Sequence, residues 1–538
     1  MRLCYVAVCA AQSQIDGAEL VSAGQRDDHV MPESIRALIV VLALAVPAFY
    51  VGRQLAASVI ARREFTVWRN AWFAATVAAF LSGSFFVFAA IIAMIYLYAR
   101  AARAVTAAFF IVLVFVAPVI NIPISGFGIV TTLLDINTAR VLAIVLLLPL
   151  VFATARSGRR NGAVYSMPDR LIVGYVLLRI ALEAENVTQV IRSATVFSLD
   201  VLIPYFAFSR AVTSMADLRR VLLAFIIAVL PLSLIAMFET AKGWLLYGSI
   251  TSSWGAQIFS NYQQREGMLR AAASATSPIV LGFIIMVAIG CMLALRQTIG
   301  SRRFAGIALA ILGAGLVASL SRGPWVGTAV LILTFLVTGP NVVANLRLAV
   351  IGATVLLPLL MTPAGDRLLD WVPFMGSVDT GSVTYRQRLF DNAILVIERN
   401  PWFGSRDFWS TPEMQEMVQG QHIVDIVNTY LKIALDSGLV GLGLFLGFFA
   451  TILIGLRRVA KFDAVQDIGF SGYARASMAT LIAILVTIST VSSIDFVPYV
   501  YWSFAGLGVA LIRIAYRERI AVARAAHASR VPSMSGTA

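Results

Sequence analysis

Apolar runs long enough to cross about 30 Å of hydrocarbon recur along this chain from end to end, separated by short polar connections rich in arginine. Their positions predict membrane spans at 35–52, 71–97, 104–119, 139–155, 169–183, 195–212, 219–238, 274–295, 304–320, 325–338, 347–361, 428–455, 476–492 and 497–515. Ten-residue segments of alternating polarity, the mark of a transmembrane barrel, are absent, and no internal repeat is visible. The expected fold is therefore all-α: a polytopic transmembrane helix bundle of about 14 spans (range about 12–15). Residues 1–34 form a tail before the first span, and Met31, directly ahead of PESIRALIVVLALAVPAFYV, is an alternative start. Helices then occupy 35–361 and 428–516, and 517–538 form a second tail.

The polar stretch 362–427 interrupts this pattern. It holds nine of the chain's 28 carboxylates and sits between two apolar runs as one large loop. Within it, Thr384-Tyr385-Arg386-Gln387 fits a capping box, which predicts a helix from Tyr385 that ends before Asn400-Pro401. Leu389, Phe390, Ala393, Ile394 and Ile397 supply its apolar face. Arg388 has Asp391 at i+3 as a surface partner. Arg386 has no such partner and falls in the predicted first turn, where a helix favours anions.

Composition changes the picture little. The chain is 59% hydrophobic and 13% charged, far from a soluble domain. The net charge of +14 is mostly arginine, and it orients the bundle, because basic connections stay on the cytoplasmic side. Arg100 and Arg103, Arg156 to Arg160, Arg210 to Arg220, Arg296 to Arg303, Arg457 to Lys461 and the tail after Arg517 fall on alternate connections. The other set, 120–138, 184–194, 239–273, Ser321–Pro324 and 362–427, is then periplasmic. One connection resists: Arg53, Arg62, Arg63 and Arg69 lie on the wrong side if 71–97 is a single span. The segment FLSGSFF inside that run would cure this as a hairpin; the single span is the reading adopted. Such basic charge on a membrane chain does not call for nucleic acid. Three cysteines and three histidines lack metal-site spacing, so no metal and no cofactor is expected.

The candidate chemistry lies on the loop side. Arg265 and Arg270 precede the span at 274, Arg322 stands alone between two spans, and Arg386 and Arg388 lie in the long loop. An arginine in an apolar run costs about 2.5–3.5 kcal/mol at a helix centre. Arg322 therefore reads either as a snorkelling turn residue or as an anion contact, for which the guanidinium fork suits phosphate. His422 and Asp425, three apart and leading into Asn428, are either a solvated loop pair or a general base with its partner. Trp402 is either an interfacial belt residue or a platform for a sugar ring. A secondary transporter for an anionic solute is the rival class, although the absence of a repeat and the one-sided charges fit it poorly.

Three segments resemble a known family. SRGPWVGTAVLILTFLV (321–337), YRQRLFDNAILVIERNPWFGSRDF (385–408) and VNTYLKIALDSGLVGLGLFL (427–446) are similar, in order and spacing, to signature segments of the O-antigen ligase and O-antigen or exopolysaccharide polymerase superfamily. The resemblance implies an inner-membrane glycosyltransferase with a periplasmic site and an undecaprenyl-diphosphate-linked glycan as donor. A chain-length regulator and a flippase would be its partners in the bilayer. It implies that Arg322 and Arg386, which match by position, hold the diphosphate; Arg270 would help them, and Arg265, Arg388, Asn428 and Trp402 are further candidate substrate contacts. The family histidine falls on Val427, leaving Asp425 or His422 as base, and the second glycine of the PWFG turn is replaced by Arg406. The missing histidine favours a polymerase over a ligase that transfers glycan to lipid A core.

Overall fold

The structure, a computed structural model, describes residues 31–98, 103–126, 132–160, 166–255, 264–265, 267–340, 347, 380–418, 424–462 and 469–528. Its helices in chain order begin with α1 (Glu33–Ala56), α2 (Arg62–Leu81), α3 (Phe85–Tyr98) and α4 (Arg103–Val114). α5 (Thr138–Leu142) and α6 (Leu148–Arg160) are joined through a π turn, and α7 is Met167–Leu182. α8 (Val187–Phe197) and α9 (Ile203–Ala211) are joined in the same way, followed by α10 (Met215–Lys242) and α11 (Gly248–Ser253). Then come α12 (Pro278–Leu295), α13 (Arg302–Ala318), α14 (Arg322–Val337), α15 (Thr380–Arg399) and α16 (Pro412–Gln415). The last three are α17 (Thr429–Ala460), α18 (Phe470–Ile488) and α19 (Val497–Ala528). Among the described residues eight helices are long and apolar enough to cross a membrane, and three shorter apolar ones pack with them. The protein is an all-α polytopic membrane protein. Its described strands form two short antiparallel ribbons in connections: β1 (Ile122–Ser125) with β2 (Thr132–Ile136), and β3 (Gln264–Arg265) with β4 (Met268–Leu269).

α10 and α12 form the centre. α10 starts on a capping box between Ser214 and Asp217 and packs against α1, α4, α12 and α13. Small residues let these helices approach closely: a Cβ placed on Gly290 would meet Thr480 Oγ1 at 2.2 Å, and one on Gly315 would meet Ser233 Cβ at 2.6 Å.

Alternating helix directions sort the connections into two ends. At one end Trp244 Nε1 donates to Glu33, Phe80 packs on Tyr247, Ser274 donates to the Phe115 carbonyl and Thr429 to that of Val491. The long loop is at this end. At the other, Arg219 donates to the Tyr473 hydroxyl, Arg220 pairs with Glu64 and Ser471 donates to the Ala460 carbonyl.

The single span expected over 71–97 is corrected. The chain breaks at Ser82–Ser84, with Gly83 at φ 54°, and α2 and α3 form a hairpin whose turn lies at the loop end. A glycine between two serines supplies both the left-handed backbone and side chains that compete for helix hydrogen bonds. Arg53, Arg62, Arg63 and Arg69 thereby join the other basic connections at the far end. The expected span 347–361 and the tail 1–30 lie outside the described residues.

Candidate functional site

Connections at the loop end bring the predicted arginines together. The β3–β4 ribbon is laced to the turn before α14: Ala271 N donates to the Ala318 carbonyl at 3.2 Å. Arg265 Nη1 donates to the Leu320 carbonyl at 2.9 Å, and Arg270 Nη2 to Ser321 Oγ at 2.9 Å. Ser321 is the N-cap of α14, so the next residue, Arg322, opens that helix. Its Nε is buried without a hydrogen-bond partner, and it forms no ion pair among the described residues. The turn is held from behind, since a Cβ on Gly282 would meet Pro324 at 2.9 Å and one on Gly323 would meet Thr490 Oγ1 at 2.6 Å.

Arg386 reaches the same place from α15. Burial, then the charges of Arg265 and Arg386, push the Arg270 guanidinium down to about 10. Arg386 keeps an open face, yet surrounding protein lowers its guanidinium below the ordinary value, an effect partly offset by Asp425. A buried guanidinium with two further cations beside it is poised for an anion.

Asp425 stands beside them. Ser492 Oγ donates to its Oδ1 at 2.8 Å, and the Tyr385 hydroxyl donates to its carbonyl at 3.1 Å. Its side chain is otherwise exposed. Residues 424–428 are not helical, so Asp425 and Asn428 share no helical face, contrary to expectation. Asn428 is instead the N-cap of α17, its Oδ1 accepting from Tyr430 N at 2.9 Å and Leu431 N at 3.2 Å. His422 lies outside the described residues.

These residues fall mostly within one matched segment. Residues 305–446 match the family model described as O-antigen ligase. That stretch is a domain of the O-antigen ligase and polymerase superfamily. Proteins of this superfamily are glycosyltransferase-like ligases and polymerases that act on lipid-linked glycans in membranes. No curated protein matches the chain.

The superfamily domain contains Arg322, Arg386, Arg388, Trp402, Asp425 and Asn428, while Arg265 and Arg270 reach it from outside. Its loop is clamped to α17 by the PWFG turn. α17 breaks at Gly438 (φ 63°, ψ −166°), where Leu439 N donates to the Pro401 carbonyl at 2.7 Å and Val440 N to that of Trp402 at 3.2 Å. Ser405 N donates to the Leu435 carbonyl at 2.9 Å. A Cβ on Gly438 would sit 2.2 Å from the Trp402 carbonyl carbon, and one on Gly404 2.3 Å from the Leu435 oxygen. Only glycine permits that contact. An apolar cluster that includes Leu389, Ala393, Phe408, Met414 and Leu435 seals α15 and α16 onto α17. Arg406, standing where the second glycine was expected, pairs with Glu185 at 2.8 Å. The Trp402 ring is 64% exposed on the outside of this clamp.

Two expectations about α15 are corrected. It starts at Thr380, so Thr384 caps nothing and Arg386 is not in the first turn. Gly381 fails to stop the helix, and tertiary docking overrides the local capping pattern. Arg388 is exposed and forms no ion pair with Asp391.

Sequence reasoning missed the groups that hold the site. Glu239, fully buried at the end of α10, accepts from Leu246 N at 3.0 Å, Ala272 N at 3.0 Å and Ala273 N at 2.8 Å. Asp495 accepts from Thr276 Oγ1 at 3.2 Å, and burial pushes its carboxyl up to about 6. Among the described residues the non-glycine positions in the left-handed region are Ala273, Thr276, Leu320 and Asp495, with φ of 46°, 59°, 46° and 51°. All four are in the connections around the arginines. Strain of this kind costs about 1–3 kcal/mol each and gathers at functional sites. A lone acid at the edge of an apolar run was the signal available for both Glu239 and Asp495.

Proposed function

We propose that this protein is a polysaccharide polymerase. It would join undecaprenyl-diphosphate-linked repeat units, of an exopolysaccharide or O-antigen, at the periplasmic face of the inner membrane. The observation that carries this reading is the convergence of Arg265, Arg270, Arg322 and Arg386, with electrostatic coupling between Arg270 and Arg386. A diphosphate is the ligand such a cluster fits, because each guanidinium can pair with two oxygens. In the transfer, the acceptor hydroxyl attacks the anomeric carbon from the face opposite the diphosphate. The carbon–oxygen bond to the diphosphate breaks, and the lipid diphosphate leaves with the electron pair. Charge grows on the leaving oxygens, where fixed cations act most strongly. Asp425, with one oxygen held by Ser492, would take the hydroxyl proton. The outcome is inversion at the anomeric carbon.

The superfamily includes ligases as well as polymerases, and Val427 in place of the family histidine favours a polymerase here. Deleting the gene and resolving surface polysaccharide on gels tests the choice. Loss of every chain longer than one repeat supports a polymerase. Intact lipid-linked polymer that never reaches lipid A core makes the protein a ligase.

A further inference from the structure

The α2–α3 hairpin is splayed. Its two helices meet at the Ser82–Ser84 turn, where Phe80 and Phe85 pack on Tyr247 and Trp254. Toward the opposite end they part around a cleft of about 930 Å³, within the roughly 300–1,000 Å³ of ordinary ligand pockets. Val67, Ala71 and Ala74 form one wall and Ile91, Met94 and Ile95 the other. The α2 wall has small side chains, and Met94 is 60% exposed, so the protein leaves the space open.

The mouth of this cleft is basic. Arg62 and Arg63 line it and are exposed, and neither forms an ion pair among the described residues. The nearby carboxylate, Glu64, is committed to Arg220 at 3.6 Å. Thr66 and Asn70 add polar groups to the α2 wall further in, Asn70 accepting from Arg69 at 3.0 Å. An apolar slot with two unneutralised guanidiniums at its mouth, on a hairpin between bilayer-crossing helices, has the chemistry of a lipid site. Acyl chains fill the slot, and a phosphate meets the arginine forks. The headgroup should carry net negative charge, because an ammonium on the same headgroup would be repelled by the two arginines.

We infer that the α2–α3 cleft binds an anionic phospholipid through Arg62 and Arg63, in the leaflet opposite the long loop. The lipid completes the packing of the hairpin. The cleft lies at the far end of the bundle from Arg322 and Arg386, so the lipid is not the glycan donor, and the inference stands apart from the proposed reaction.

Native mass spectrometry of the full-length protein, exchanged into equimolar phosphatidylglycerol and phosphatidylcholine of matched chains, tests this. Each basic residue near a membrane surface contributes roughly fivefold to attraction. Retention of phosphatidylglycerol should therefore exceed that of phosphatidylcholine by about tenfold or more. Arg62→Ala with Arg63→Ala should equalise the two. Ala74→Trp, which fills the slot and leaves the arginines in place, should lose the retained lipid. Glycerol 3-phosphate at millimolar concentration should not displace it. Equal retention by the unaltered protein, preference persisting in the double arginine variant, or an unaffected Ala74→Trp overturns the site. Displacement by glycerol 3-phosphate reduces it to a surface anion contact. Thermal unfolding of each variant in detergent separates loss of lipid from loss of fold.

Discussion

The two ends of this bundle are built by different rules. At the end away from the long loop, α7 and α10 begin on capping boxes. Asp169, fully buried, caps α7 at Ser166 and also accepts from Tyr205 and from Arg210 at 2.8 Å. Arg513 donates to the Ser209 carbonyl at 2.6 Å, and Arg219 to the Tyr473 hydroxyl at 2.9 Å. Apart from the rim of the lipid cleft, that end is an ordinary solution to burying helix termini. At the loop end, four non-glycine residues adopt left-handed backbone, and three of them, Ala273, Thr276 and Leu320, lie in the connections that carry Arg265, Arg270 and Arg322. Paired arginines occur there too: Arg140 holds Asp200 at 2.6 Å, and Arg179 holds Asp436 and Glu183, each at 2.9 Å. Arg322 differs from these neighbours: its Nε is buried without a hydrogen-bond partner, and it forms no ion pair among the described residues. Left-handed backbone gathered in the connections around the site arginines is strain of the kind that collects at functional sites.

The comparison can be broken most sharply by exchanging arginine for lysine at both ends. Arg322→Lys and Arg386→Lys should each abolish chain growth on purified lipid-linked repeat units, since a point charge cannot reproduce the fork. Arg219→Lys at the far end should leave the rate within about twofold of the unaltered protein, as expected for a substitution remote from the reacting groups. Similar losses at both ends would reduce the site arginines to topological charges.

Asp425→Asn should be the next largest effect, a slowing of about 10²–10⁴-fold with residual synthesis. Its deficit should shrink as pH rises and the acceptor hydroxyl needs less help. An undiminished rate removes the general base from this segment.

Asp495 sharpens the contrast in stability. Its pKa is raised from 3.8 to about 6 in the folded protein, so folding binds the proton more tightly. The stabilisation is complete below about pH 4 and is lost as pH rises through about 6. Asp495→Asn stays neutral and tolerates left-handed backbone. It should match the unaltered protein near pH 4 and exceed it at pH 8 by about 3 kcal/mol, read from thermal or denaturant unfolding across pH.

The smallest effect compares two fully buried carboxylates. Glu239→Gln at the loop end and Asp169→Asn at the far end should each cost about 1.5–3 kcal/mol of stability. The activity of the folded fraction should fall for Glu239→Gln alone, because Glu239 holds the strained segment that carries Arg270.

Much of the bundle was legible in the sequence because a membrane span is a local property: length and apolarity suffice. The hairpin at Ser82–Ser84 was visible only as the alternative to a single span, because 71–97 contains no charge and its turn rests on one glycine between two serines in an apolar run. The arginines of the site could be nominated from topology, which put Arg265, Arg270, Arg322 and Arg386 on one side. Their spacing could not, since it depends on a ribbon bonded to a turn some 50 residues on: Arg265 and Leu320 lie 55 apart and Arg270 and Ser321 lie 51 apart. Glu239 was illegible for the same reason. Two of its three partners are backbone amides 33 and 34 residues away, which no side-chain pattern announces. Asp425 was seen, but its support comes from Ser492, 67 residues later.

The break at Gly438 has a mechanical consequence. The PWFG turn bonds both sides of it: Ser405 N donates to the Leu435 carbonyl before the break, and Leu439 N and Val440 N donate to the Pro401 and Trp402 carbonyls after it. The loop is thus riveted to the membrane helix across the break. A version of the loop grafted onto another scaffold would have to carry the chain as far as Val440, and a cut at Asn428 would leave the apolar faces of α15 and α16 bare.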